Sequence, residues 1–278
     1  MPTQIEPMKH YPKTLFVLLI YGVMCSKEIL LGDCLELMKD IPNGSIDMIL
    51  CDLPYGTTQN KWDVIIPLDK LWEEYERIIK DNGMICLTSA EPFTSTLITS
   101  NKKLFKYDLI WDKKLSSGFL NAKRMPLRRH EQILCFYKKL PIYNPEMVTR
   151  GKVRKKGITT ETGKHTSNYG KFENSVVENN EYYPTSIIEV SNANRKDKLH
   201  PTEKPIELFE YLIKTYTNEG DLVLDNTAGS GTTAIACLNT NRQFIVMEKE
   251  QKYYDIILKR VGDFNKKFET QTLFGNEM

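Results

Sequence analysis

Three short runs in this 278-residue chain carry side chains able to act on a ligand together: DLPYG at 52–56, HPTEKP at 200–205 and DNTAGSGTT at 225–233. In the first, an acid, a proline-fixed turn and an aromatic ring follow a buried apolar run, at the strand tip where open α/β sheets bind and transform ligands. Pro-Tyr-Gly would make a turn without help, so the company it keeps matters. In the third, the glycines at 229 and 231 let the backbone approach a ligand, and the helix that follows favours negative charge at its N-terminus. About 20 residues on, FIVMEK ends in Glu248, the place from which an acid accepts hydrogen bonds from ribose hydroxyls. A glycine turn alone is commonly structural; joined to that acid it points to a nucleoside ligand. Asp33, at the end of EILLGD, can face the same crevice as Asp52.

These tips require strands behind them. EILLGD (28–33), IDMILCD (46–52) and GMICLTSA (83–90) are apolar enough to be strands buried on both faces. Helical spacing lies between them at 34–41 and at 68–83, where Leu71, Trp72, Tyr75 and Ile78 share a face and Gly83 reads as the stop. FKYDLIWDKK and EQILCFYKK read as strands flanking the basic loop LSSGFLNAKRMPLRRH, with Trp111 in the core and His130 and Glu131 opening the second strand. Residues 140–199 lack sustained periodicity and read as irregular. Alternation resumes with a helix at 204–216, a strand into Asp225, a helix at 231–239, a strand at 242–249 and a helix at 251–264. The pattern is α/β, with both halves expected in one sheet.

Composition bounds the partners. Net charge is only +2, yet residues 99–171 hold 18 Lys or Arg against five Asp or Glu, a segment suited to a polyanion. Six scattered cysteines without CxxC pairs read as reduced thiols of a cytoplasmic protein, and the four histidines share no metal-ligand spacing, so no metal is expected. KTLFVLLIYGVMCS (13–26) has the look of a signal-peptide core but is too short to span a bilayer. Because SKEILLGD follows at once as the start of a domain, an upstream translation start or an extra packed element is the preferred reading.

DLPY paired with a later DNTAGSGTT and joined by HPTEKP resembles the DNA amino-methyltransferases that use S-adenosylmethionine, in particular their β class, from about residue 28 to 265. The resemblance implies a single Rossmann-like sheet with helices on both faces, plus a basic, irregular target-recognition insert. The corresponding division is an N-terminal extension (1–27), a catalytic half (28–113), the insert (114–199) and a cofactor-binding half (200–278).

It also implies roles. Asp52 and the carbonyl of Leu53 would accept hydrogen bonds from the target base's exocyclic amine, Pro54 would hold the turn, and Tyr55 would stack on the ring of a base flipped out of double-stranded DNA. Two such acceptors favour a pyramidal nitrogen and stabilise the charge that develops as it attacks the methyl group. Asp33 would meet the cofactor's adenine and Glu248 its ribose. Asp225, Asn226, Thr227, Ala228, Gly229, Ser230, Gly231 and Thr232 would wrap its methionine portion, beside Asp52. His200, Thr202 and Lys204 would sit at the amino acid end, Lys204 toward the carboxylate. Lys123, Arg124, Arg128, Arg129, Lys152, Arg154, Lys155 and Lys156 are candidates for DNA contacts. The chain departs from the family in having Leu53 where a second proline is usual, and Asn226-Thr227 where Pro-Phe is usual. An acid at position 52 is, by family habit, more usual for adenine N6 than for cytosine N4. Methylation of RNA or protein, or an inactive DNA-binding regulator, are the rival readings; motif order speaks for DNA and intact Asp52 and Tyr55 for activity. A homodimer and a matching restriction endonuclease stay open as partners.

Overall fold

The central strand of the sheet shows how the fold is built. Along Ile46–Cys51, Met48 and Leu50 join one apolar cluster while Ile49 and Cys51 join another, and all four are fully buried. A strand apolar on both sides demands cover on both. In the computed structural model, which describes residues 27–58, 60, 63–156, 177–192 and 203–274, that cover is helical.

In chain order the strands are β1 (Lys27–Leu31), β2 (Ile46–Cys51), β3 (Ile79–Ser89), β4 (Phe105–Ser117), β5 (Arg128–Phe136), β6 (Val148–Lys156), β7 (Val177–Tyr182), β8 (Ile187–Glu189), β9 (Leu222–Asp225) and β10 (Gln243–Glu248). The α-helices are α1 (Cys34–Leu37), α2 (Leu68–Ile78), α3 (Phe93–Ser100), α4 (Ile206–Tyr216), α5 (Thr232–Asn239) and α6 (Gln251–Phe274). Eight strands form one sheet in the order β1-β10-β9-β2-β3-β5-β4-β8, and β6 and β7 form a separate antiparallel pair. Within the large sheet β5 alone runs against its neighbours.

One face buries Met48, Met84, Trp111 and Val223 against Leu208 and Leu212 of α4 and Ala234 and Ile235 of α5. The other buries Ile49, Ile85 and Leu224 against Leu71, Trp72, Tyr75 and Ile78 of α2 and Leu97 of α3. Each fully buried aliphatic or aromatic side chain contributes about 1.5–3 kcal/mol, so both layers stabilise the sheet. Both halves of the chain do share one sheet, as the alternating pattern implied. Trp111 is fully buried, its indole N–H donating to the carbonyl of Val190 at 2.8 Å.

Several elements differ from the sequence reading. The helix expected over 68–83 stops at Ile78 and the chain passes directly into β3, leaving Gly83 inside a strand. There the register of β3 on β2 jumps, and a Cβ at 83 would stand 2.7 Å from the Ile79 side chain and 2.9 Å from the carbonyl of Asp47. Gly83 is a site of close approach, not a helix stop. The helix expected over 34–41 is α1 followed by a short 3-10 turn at Met38–Asp40. The stretch 140–199 is not wholly irregular: β6 pairs with β7, and β8 joins the edge of the large sheet beside β4. β5, within the 114–199 stretch, lies between β3 and β4 in that same sheet.

Candidate active site

The order β1-β10-β9-β2 makes neighbours of four parallel strands whose carboxyl ends carry Asp33, Glu248, Asp225 and Asp52. At about 4.8 Å between strands, the row is roughly 15 Å long. All four acids line one cavity of about 530 Å³, together with Leu53, Pro54, Tyr55, Lys204, the turn residues Asn226, Thr227, Ala228, Gly229 and Ser230, and Thr232.

Asp52 stands one residue beyond β2. Its Oδ1 accepts hydrogen bonds from the Tyr55 hydroxyl at 2.9 Å and from the Thr88 hydroxyl, and its Oδ2 accepts from the Lys204 ammonium at 2.7 Å. The Asp52 carbonyl accepts from the Thr227 hydroxyl at 3.2 Å, tying the turn after β2 to the glycine turn. Tyr55 stacks on Phe93, ring centroids 5.2 Å apart and 20° between planes, so a base would take its other face. Burial, then the Asp52 charge, lift the Tyr55 phenol well above the ordinary tyrosine range and keep it a donor.

Lys204 is 9% exposed and touches a second carboxylate, Oε2 of Glu131, at 3.5 Å. Burial is the largest single influence and opposes its charge, but Asp52, Tyr55 and Glu131 together outweigh it, and its pKa lies above the ordinary lysine range. Two acids thus hold the ammonium, which has three donors, at the cavity wall. Glu131 accepts from Lys113 at 3.1 Å; burial works against its charge, yet Lys204 and Lys113 bring its carboxyl below the usual glutamate range. Glu131 therefore lines the cavity as part of an alternating Lys113–Glu131–Lys204–Asp52 chain of charges. Read from sequence it merely opened a strand; its pairing with Trp111 across β4 and β5 sets it where it meets Lys204.

The glycine turn is held from below. Asp225, 2% exposed, accepts from the Thr227 backbone N–H at 3.0 Å and from the Thr233 hydroxyl. Burial pushes its carboxyl up to about 7 against those bonds. Asn226, where a proline is usual, accepts at Oδ1 from the Tyr75 hydroxyl at 2.5 Å and from the Cys51 thiol at 2.8 Å, and Thr227, where the phenylalanine is usual, makes the polar bond to the Asp52 carbonyl in place of an apolar contact. Gly229 and Gly231 have φ of 54° and 84°. Gly231 packs behind the turn, where a Cβ would meet Ile257 at 3.0 Å, and Ser230 accepts from Arg260 at 2.7 Å through its carbonyl. Glu248 accepts from the backbone N–H of Gly229 at 2.9 Å and of Glu250 at 2.8 Å, and burial raises its pKa in spite of them. Asp33 caps α1 through the Leu35 N–H at 3.0 Å.

A DNA methylase family model, that of the N6 and N4 methyltransferases, matches residues 46–259. The chain belongs to this family. Among relatives, the type II methyltransferase M.HpaI of Haemophilus parainfluenzae is 27% identical over 256 residues, covering 86% of this chain and 76% of its own. The DNA adenine methyltransferase YhdJ of Escherichia coli K12 is 27% identical over 253 residues, covering 85% and 83%. Among solved structures, an M1.HpyAVI–SAM complex superposes with a TM-score of 0.57 at 24% identity over 84% of this chain and 98% of its own. The cytosine-N4-specific PvuII DNA methyltransferase gives 0.60 at 18% over 84% and 85%. These two likenesses concern the fold.

Of this methylase's expected DNA contacts, Lys123, Arg124 and Arg128 are exposed around the β4–β5 turn, and Lys152 and Arg154 are exposed on β6. Arg129 is committed elsewhere: Nε and Nη2 each donate to the Asp112 carboxylate at 2.7 Å. Lys155 and Lys156 lie in β6, while His200 and Thr202 fall outside the described residues. Arg150 lies over the Tyr182 ring at 4.5 Å, linking β6 to β7. A residue the motifs did not flag is Asp63, whose carboxylate accepts from the backbone N–H groups of Gly56, Thr57 and Thr58 at 2.8, 3.0 and 2.6 Å and anchors the loop after Tyr55. Among the described residues no metal-binding cluster forms, no helix is long and apolar enough to cross a membrane, and five cysteines are free thiols.

Proposed function

We propose that the chain is a site-specific methyltransferase of double-stranded DNA that uses S-adenosylmethionine to methylate N6 of adenine in a flipped-out base. The observation that carries this is the convergence of Asp52, Tyr55, Lys204 and the glycine turn on the cavity that Glu248 and Asp33 also line. Its volume lies in the range of small-molecule sites. Acids at Asp33 and Glu248 suit amine and diol hydrogens, the open turn at Gly229 suits close approach, and the bound cofactor would supply an already activated methyl group.

The target amine is a poor nucleophile because its lone pair is delocalised into the ring. Among the described residues, Asp52 Oδ1 already receives two hydroxyl donors, whereas Oδ2 receives Lys204 alone. A carboxylate oxygen has two lone-pair sites, so Oδ2 is the atom with capacity for the amine hydrogen. Lys204 fixes that oxygen's direction, and Tyr55 and Thr88 fix the other, so the acceptor is aimed before the base arrives. The Leu53 carbonyl provides the second acceptor, and the Tyr55 ring, which already has Phe93 stacked on it and the Lys204 ammonium 5.7 Å from its centroid, receives the base on the side away from Phe93.

The test is sequencing of methylated bases in DNA from cells expressing the chain or its Asp52→Ala variant, with radiolabelled methyl transfer to DNA, RNA and protein in parallel. Adenine methylation at a defined site, absent in the variant, is expected. Label in cytosine would replace N6 by N4, and label only in RNA or protein would overturn the reading.

A further inference from the structure

We infer that the β4–β5 tip, Phe119 and Leu120 above all, is an apolar wedge that enters double-stranded DNA beside the target base and holds the space that base vacates. The inference rests on the proposed function and adds the element that would separate the base from its stack.

The first observation is exposure. Within eleven residues of the tip, Leu115 is 49% exposed, Phe119 70%, Leu120 101% and Met125 51%. Single exposed apolar side chains are ordinary; four on one projecting turn form a patch that needs an occupant. Gly118, with φ of 89°, starts the 3-10 turn Phe119–Asn121 that presents Phe119 and Leu120.

The second is charge. Lys123, Arg124 and Arg128 border the patch and are exposed, while Arg129 is paired with Asp112. Apolar side chains ringed by cations suit a polyanion with a stacked apolar interior, which describes duplex DNA; wedges of Phe, Leu or Met between base steps are a recurrent way to unstack it.

The third is place. β5 runs against β3, so its first residues stand at the edge where the parallel strands end, and Ser89 pairs with Gln132. Glu131 lines the catalytic cavity, and Arg128 is three residues back along the strand, about 10 Å at roughly 3.3 Å per residue. β4 reaches the same edge and bends where its register on β5 shifts between Asp112 and Ser117, with Lys114 at φ of 58°. Such bulges re-aim a strand beside a site. The tip thus projects past the cavity mouth on the side from which a base would enter.

The experiment uses the full chain and an oligonucleotide bearing the site mapped by sequencing, either as a matched duplex or with the target base opposite an abasic position. The doubly substituted variant Phe119→Ser, Leu120→Ser is compared with Lys123→Ala, Arg124→Ala. The wedge variant should lose about tenfold or more in methyl transfer on the matched duplex but stay within about twofold on the abasic duplex, where the base is already loosened. The cationic variant should lose on both, with a shallower salt dependence. Equal loss of the wedge variant on both duplexes, or no loss on either, would overturn the inference. So would a DNA-free dimer that becomes monomeric in the wedge variant while duplex methylation is retained, since the patch would then bind a second copy. No transfer to any DNA by the unaltered chain would remove the functional reading and the wedge together; transfer by the unaltered chain with the wrong variant pattern removes the wedge alone.

Discussion

The Lys204 ammonium lies 2.7 Å from Oδ2 of Asp52 although 152 residues separate them in the chain. Both come from short motifs on opposite sides of the 114–199 stretch, and the ion pair joins those motifs in the cavity. Because Glu131 shares the same ammonium, removing it would leave two acids facing each other with 23% and 18% side-chain exposure.

Lys204→Met should therefore abolish methyl transfer and lower unfolding stability by about 3–5 kcal/mol, the range for breaking a buried pair on one side only. The double variant Lys204→Met, Glu131→Gln should recover part of that stability in urea unfolding, but not the activity. If the double variant is as unstable as the single one, Glu131 is not coupled to this pair.

Asp225 gives a pH signature. Its carboxyl is pushed up to about 7 in the folded chain, chiefly by burial. Between about pH 4 and 7 the folded state therefore holds a proton that the unfolded chain has lost, so this contribution to stability is present at low pH and disappears as pH rises through about 7. Asp225→Asn should remove the dependence. In urea unfolding at pH 5 and pH 8, the variant should gain on the natural chain by about 3 kcal/mol at the higher pH, at about 1.4 kcal/mol per pH unit of difference. A constant difference between the two would show that Asp225 does not titrate there.

Asp63 is the pin of the loop that follows Tyr55. Asp63→Ala leaves the N–H groups of Gly56, Thr57 and Thr58 without their acceptor, and should cost about 1–3 kcal/mol. Hydrogen exchange at these three amides should accelerate well beyond that of β2, with Asp63→Asn intermediate. Unchanged exchange would show that the loop is ordered by Ile65 and its neighbours instead.

What could be read from sequence followed from local physics. β2, β9 and β10 are apolar on both faces, their terminal acids are conspicuous, and the glycine turn needs its positive φ at Gly229 and Gly231. What could not be read depends on distant partners. α2 gives way to β3 at Ile79 because Lys80 pairs with Asp47 and Lys138 donates to the carbonyl of Glu76, contacts no local window contains. α3 is rich in Thr and Ser, poor helix formers, and is helical because Phe93, Thr94 and Leu97 find cover. Arg129 looks like a free cation until β4 and β5 are in register, and the role of Glu131 appears only when the strand pairing turns it toward Lys204.

The strand order also governs when the binding edge can form. β1 pairs with β10, so Lys27 waits for Phe244 to be synthesised before it has a neighbour, and the two strands between β1 and β2 are the last of the sheet to be made. A polypeptide released before β10 is made therefore has no completed binding edge.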